Sequence, residues 1–377
     1  MVRLQKKTKK VFIFSMKIIT VSDYKNILIH KKSVIDVRAA IEFEQGSVPN
    51  SINLPILNNS ERELVGTVYK QQGSEAAVKL GYDIVSGENK LAKVKAWVNE
   101  IKKNPEILVM CFRGGQRSQI SQKWMLDEGF EISRFEKGYK HFRQWILDEY
   151  NQFSAAQNMR ILSGTTGSGK TKLIKQLMNK YPVVDLEGLA NHKGSAFGKE
   201  MTDQPCQADF ENRLVQDILI QQNQFTKKNI LFEDESRMIG KRQLSEAFFL
   251  KLRESKVILM KIPIHKRIEN IFDDYITQTH VKTGSPEQAL IQFQKYIDNT
   301  NQISKRLGGL RAQEIVADME ICKKDYLENK GFEKNKIWIE KLLVWYYDPL
   351  YLKSLDIRKP AVEFEGSELE ITGYLLF

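Results

Sequence analysis

The stretch that most constrains this chain is Gly164-Thr165-Thr166-Gly167-Ser168-Gly169-Lys170-Thr171. It follows Met159-Arg160-Ile161-Leu162-Ser163, which reads as a strand, and Lys172 to Lys180 continues as a helix. Strand, glycine-bearing loop and helix in that order match the phosphate-binding pattern G-x-x-x-x-G-K-T in full. The glycines let backbone N–H groups wrap phosphate oxygens. Lys170 neutralises the outer phosphate, and Thr171 Oγ can ligate Mg²⁺. The strand Asn229-Ile230-Leu231-Phe232 then runs into Glu233-Asp234-Glu235, where Glu233 or Asp234 is placed to hold a metal through water.

A second loop carries different chemistry. Ile107 to Met110 reads as a short buried strand, and Cys111-Phe112-Arg113-Gly114-Gly115-Gln116-Arg117-Ser118 leads into a helix from Gln119. Loop N–H groups turned inward, a helix N-terminus, and the charges of Arg113 and Arg117 together hold an anion. The same field favours the nucleophilic thiolate of Cys111. Gly114, Gly115 and Ser118 complete the expected anion site. The spacing C-x-x-G-x-x-R-S is also that of protein phosphatases, in which the cysteine attacks phosphorus, but Met110 stands where those enzymes have histidine.

Three cysteines, Cys111, Cys206 and Cys322, are far apart and odd in number, which excludes a disulfide framework and fits a reducing compartment. His192 and His265 lack a second ligand at metal spacing and read as surface or substrate contacts, and Cys206, beside Pro205 in a polar loop, has no base or glycine nest and reads as an ordinary cysteine. No apolar run reaches the length of a membrane span. Lys6 to Phe14 resembles the start of a signal peptide but is broken by Lys17 without a cleavage site, so a cytoplasmic protein is expected. Either Met1 or Met16 can serve as the start. A formal charge of +11 points to a polyanionic partner such as RNA.

Strands alternate with helices through the chain, which implies parallel sheets covered by helices. The expected division is a basic extension over 1–15, a first α/β domain over 16–150, a phosphate-binding domain over 155–290 and a mostly helical region over 291–377. Polar residues Lys193 to Gly198 are expected at the mouth of the phosphate site, and His265-Lys266-Arg267 as a cationic cover. Trp338, Trp345, Tyr346, Tyr347 and Tyr351 cluster near Asp348-Pro349. Such aromatics can stack unpaired RNA bases, but at helical spacing they read as core.

Asp36-Val37-Arg38, Glu42-Phe43, Gly46 to Asn53 and the Cys111 loop together resemble the rhodanese homology domain, whose loop cysteine carries sulfur or selenium. The resemblance implies a doubly wound parallel sheet, with Asp36 and Arg38 pairing structurally near the sheet edge. Five residues separate Cys111 from Arg117, a longer loop than the usual sulfurtransferase one, which suits a larger, tetrahedral anion such as selenophosphate.

With the P-loop, Leu186 to Gly198, Glu233 to Arg237 and Tyr347 to Tyr351, nearly the whole chain is similar to the tRNA 2-selenouridine synthase family. That resemblance implies replacement of the sulfur of wobble 2-thiouridine by selenium from selenophosphate, through an S-geranyl intermediate made from geranyl diphosphate. It implies a P-loop that holds the geranyl diphosphate, possible help from Mg²⁺, no tightly bound cofactor, and Cys111 in the selenation step. A P-loop phosphotransferase or ATPase with a regulatory rhodanese- or phosphatase-like module is the alternative.

Overall fold

A computed structural model describes residues 17–155, 159–192, 202–226, 228–277 and 285–377. The expected extension over 1–15 and the loop Lys193 to Gly198 lie outside these residues. The chain divides into two units: residues 1–149 with Cys206–Leu219, and Tyr150–Pro205 with Ile220–Phe377.

In the first unit, β1 (Ile18–Ile19), β2 (Val34–Asp36), β3 (Ser51–Asn53), β4 (Leu108–Met110) and β5 (Ser133–Phe135) form a sheet in the order β1-β5-β4-β2-β3. All neighbours are parallel. β2 and β4 are buried on both faces, as their unbroken apolar runs require. On one face Ile35, Val109, Trp97 and Trp124 pack together, with Trp97 Nε1 donating to Leu54 O at 2.9 Å. Tyr24 stacks on Phe135, and Phe142 meets both edge-on, in a second aromatic group. Two helices, α1 (Asn59–Gln72) and α2 (Ser74–Ile84), form a hairpin broken at Gly73, whose φ of +87° suits glycine. They are followed by α3 (Gly87–Lys103), α4 (Gln116–Asp127) and α5 (Gly138–Ala155).

The first part of α6 (Gln207–Gln224) also belongs to this unit, although it is distant in sequence. Its Asn212 is fully buried, donates to Ser47 O at 2.7 Å, and accepts from Arg143 at 2.9 Å. Asp209 accepts from Ser47 N–H at 2.8 Å, and Gln216 donates to Leu28 O at 3.0 Å.

The second unit is built on another parallel sheet. Its strands are β6 (Met159–Gly164), β7 (Val183–Val184), β8 (Ile230–Glu233), β9 (Lys256–Met260) and β10 (Val362–Gly366), in the order β10-β9-β6-β8-β7. The P-loop joins β6 to α7 (Lys170–Leu177). α8 (Ile264–Phe272), α9 (Pro286–Leu307), α10 (Gly309–Leu327), α11 (Asn335–Leu342) and α12 (Asp348–Arg358) make a helical region with its own apolar core. Trp338 and Tyr346 are buried in that core, the reading that helical spacing favours. One departure from the mostly helical expectation is β10, where the acidic tail pairs in parallel with β9. Among the described residues, no helix is long and apolar enough to cross a membrane.

Removing the Asn212 amide strands the buried Ser47 carbonyl and takes one of two partners from the Arg143 guanidinium, which keeps Glu211. Asn212→Ala should therefore destabilise the first unit by about 1–3 kcal/mol in urea denaturation. Substitution at exposed Gln224, on the last turn of the same helix, should cost far less.

Candidate functional site

The cysteine loop is held by interlocked backbone. Gly114, at φ +67°, lies so close to the following turn that a Cβ would stand 1.8 Å from Glu136 O. Gly138, at φ +62°, would place a Cβ 2.3 Å from Cys111 O. Tyr139 and Lys140 N–H groups donate to Cys111 O and Phe112 O, each at 2.9 Å. Arg134 Nη1 donates to Gly114 O at 2.5 Å. Cys111, just after β4, thus sits buried against the first turn of α4, its Sγ 3.1 Å from Ser118 Oγ and 3.8 Å from Gly115 O.

The two arginines offered to an anion differ. Arg117 donates to both oxygens of Glu42, at 2.6 and 3.0 Å, and Arg62 lies 3.1 Å from the same carboxylate. Burial pushes the Glu42 carboxyl up, but the hydrogen bonds and charge of Arg117 outweigh it and hold it below the usual range. Arg113 is exposed and forms no ion pair among the described residues. Arg113 is therefore the cation open to an incoming anion, and Arg117 is fixed by a carboxylate that motif spacing alone did not single out. Asp36 and Arg38 do pair, at 2.6 Å, but fully buried on the inner strand β2, beneath the Tyr139 ring.

Arg38, Glu42, Cys111, Arg113 and Arg117 line a cavity of about 970 Å³, which Leu57, Val65, Ala77 and Trp124 also border. That volume lies at the upper end of small-molecule sites, ~300–1,000 Å³.

In the second unit, β6 delivers the P-loop and β8, its parallel neighbour, delivers Glu233 opposite Leu162. Thr171 Oγ donates toward Glu187 at 3.0 Å and Glu233 at 3.1 Å. Lys170 Nζ donates to Gly164 O at 2.8 Å. Ser168 Oγ is buried without a hydrogen-bond partner among the described residues, as suits a hydroxyl awaiting a phosphate oxygen. Gly167, at φ +80°, has no room for a Cβ, which would meet Ile271 at 2.7 Å. Thr165 opens the turn, its carbonyl accepting from Ser168 N–H at 3.1 Å, and Gly169, at φ +87°, caps α7.

Of the two acids offered to a metal, only Glu233 stands beside Thr171. Asp234 accepts from Arg358 at 2.6 and 2.9 Å, from Arg253 at 3.1 Å, and from Ser163. Burial raises the Asp234 carboxyl, but these partners bring it below its ordinary value, and its oxygens are already engaged. The metal role suggested for Asp234 is therefore not supported by its geometry. Glu233 is the reverse case. Burial, then the charges of Glu187, Asp185 and Glu235, push it well above the usual carboxylate range. Burial and Glu187 push Glu235 up to about 8, against the pull of Lys170.

Arg267, expected to cover the phosphates, is a strut instead. It is 5% exposed, donates to Thr166 O at 2.8 Å, and forks onto Asp348 at 3.0 and 2.5 Å. Asn270 donates to Gly167 O at 2.9 Å, and Tyr351 OH lies 3.0 Å from Ser163 Oγ. The Asp348-Pro349 stretch was legible as a motif, but its partners were not.

Glu235 keeps its proton in the folded chain from about pH 4.5 to about 8, while the unfolded chain loses it. The contribution is present below the unfolded value and fades as pH rises through the folded one. Unfolding free energy of the ligand-free protein should therefore fall between pH 5 and 8. Glu235→Gln should flatten that slope by up to one proton's worth, as read by denaturation at several pH values.

With both loops described, the relatives are informative. Residues 157–376 match the family model for the tRNA 2-selenouridine synthase AAA domain, and residues 20–144 match that for the rhodanese-like domain. A tRNA 2-selenouridine synthase of Nitrosomonas europaea is 43% identical, over 95% of this chain and 98% of its own length. One from Bdellovibrio bacteriovorus is 44% identical, over 96% and 99%. One from Pseudomonas syringae is 37% identical, over 94% and 97%. A cysteine loop and a braced P-loop, joined in one chain that matches such relatives nearly end to end, mean that this chain belongs to the tRNA 2-selenouridine synthase family.

Proposed function

We propose that this chain is a cytoplasmic tRNA-modifying transferase that exchanges the sulfur of wobble 2-thiouridine for selenium. The supporting observation is that one chain carries both a buried thiol lining a large cavity with a free arginine and a P-loop with an unpartnered hydroxyl.

In the first step geranyl diphosphate alkylates the sulfur. The allylic C–O bond breaks, pyrophosphate leaves with the electron pair, sulfur bonds the allylic carbon, and the base gives up its N3 proton. Lys170, Ser168 and the loop amides from Gly164 to Thr171 hold the diphosphate and stabilise the charge that grows on it. Thr171 and Glu233 are hard oxygen donors in a site crowded with carboxylates, and they fit Mg²⁺. Those two residues would hold the ion, which when bound supplies charge neutralisation to the diphosphate. Among the described residues, no three acidic, histidine or cysteine side chains form a metal cage by themselves.

In the second step the selenium of selenophosphate adds at C2, the C2–S bond breaks, and geranylthiolate leaves and is protonated. Water then cleaves the Se–P bond, releasing phosphate. Arg113 draws in the selenophosphate, Arg117 shapes the loop from its pairing with Glu42, and Cys111 serves this step from the cavity wall.

Mass spectrometry of 2-thiouridine tRNA tests the order. Geranyl diphosphate alone should give a geranyl adduct, and added selenophosphate should convert it to selenouridine. Cys111→Ala should stop at the adduct. Lys170→Ala should slow adduct formation ~100-fold or more. Nucleotide hydrolysis with no adduct under any condition would overturn the reading in favour of a phosphotransferase.

A further inference from the structure

The helical hairpin α1–α2 is oddly solvated for its composition. α1 buries none of its residues, and α2 buries only Ala77. Leu64 is 52% exposed, Tyr69 60% and Tyr82 45%. A helix of this length is marginal on propensity alone and normally rests an apolar face on a core. Here only Val65 and Ile84 pack against the core, and Val65, Gly66, Ala77, Val78 and Gly81 border the cavity of about 970 Å³. Ile56, Leu57, Val85, Phe112, Ile120 and Trp124 add to its apolar lining, and Cys111 and Arg113 border the same space.

We infer that this cavity seats the ten-carbon prenyl chain carried on the sulfur that is displaced. The inference rests on the function proposed above and gives that substrate its place in the first unit. An apolar space bordered by the reactive thiol and by an unpaired arginine suits an occupant that is greasy at one end and meets an anion at the other. An S-prenyl base approached by selenophosphate has both properties. Binding there is driven by the apolar area that the chain removes from water, so a short S-alkyl group should be held far more weakly. The cavity thus selects the alkylated sulfur for displacement and leaves the unalkylated thiocarbonyl unanchored.

Gly66 and Gly81 give a clean test. Neither has a positive φ, and a Cβ at either position meets nothing within 4 Å. Leucine there enters open space without strain and improves helix propensity by the ordinary glycine penalty. Full-length protein would be given selenophosphate with tRNA bearing either S-geranyl- or S-methyl-2-thiouridine, and kcat/KM for selenouridine formation measured for each. Wild type should prefer the geranyl substrate by at least ~100-fold.

Gly81→Leu and the double variant Gly66→Leu/Gly81→Leu should lower kcat/KM for the geranyl substrate by about tenfold or more. The S-methyl reaction should change less than about threefold, and geranylation of 2-thiouridine should proceed at the wild-type rate. Variants that keep the wild-type preference overturn the inference while leaving the proposed function standing. Equal loss on both substrates overturns it as well, since that marks a damaged loop. A wild-type protein that selenates neither tRNA overturns both.

Discussion

One buried guanidinium ties the phosphate loop to the C-terminal helices. Arg267 gives its Nε to Thr166 O and its two terminal nitrogens to Asp348, a half-buried carboxylate that matches the charge of the buried guanidinium. Asp348 follows directly on a π-helical turn, Leu343–Tyr347, that continues α11 into α12, and Pro349, which has no N–H to give the preceding turn, sits where that wider turn has already interrupted the α-helical ladder. The same helix sends Tyr351 to Ser163 and Arg358 to Asp234. Helices with no phosphate motif of their own therefore fix the shape of the loop that cradles phosphate. The segment Tyr347 to Tyr351 is best understood as part of the P-loop site.

The carboxylates near that loop fall into two electrostatic classes. Asp234 faces two arginines and a hydroxyl, so it stays ionised and serves as a brace. Glu233 and Glu235 face each other's charge and that of Glu187, so burial wins and both titrate high. The site is thus short of positive charge before any ligand enters. A bare diphosphate would deepen that shortage, and Lys170 alone offsets one charge. In the proposed reaction a divalent cation arriving with the diphosphate would correct the balance, which is the physical argument for proposing Mg²⁺ beside Thr171 and Glu233.

Much of this was legible in the chain. The P-loop, the cysteine loop and the strands carrying them are local patterns, and local patterns survive folding because glycine placement and apolar runs act within a few residues. What was not legible is pairing across sequence distance. Charge type alone could not separate Asp234 from Glu233, because the difference lies in Arg253 and Arg358, remote along the chain. Nor could it separate Arg113 from Arg117, since Glu42 decides which of them is spent. The part of α6 from Gln207 to Leu219 carries no compositional mark, yet Asn212 and Gln216 satisfy carbonyls of the first unit. β10 was hidden by its acidity: alternating Glu363 and Glu365 suit an edge strand, where one side meets water.

The two proposed anion sites are built on opposite principles. The P-loop relies on backbone amides and buried groups, which salt screens little. At the cysteine loop, backbone interlocking through Gly114 and Gly138 sets the geometry, and the internal charges cancel in pairs, Asp36 with Arg38 and Glu42 with Arg117. The excess positive charge there comes from exposed Arg113, with Arg62 sharing Glu42. An anion is therefore attracted by groups that water also reaches, and it is held more weakly than in a P-loop. In the proposed reaction that difference would suit the two tasks: a diphosphate would be gripped while its bond to carbon breaks, whereas a selenium donor would arrive, react and leave phosphate behind.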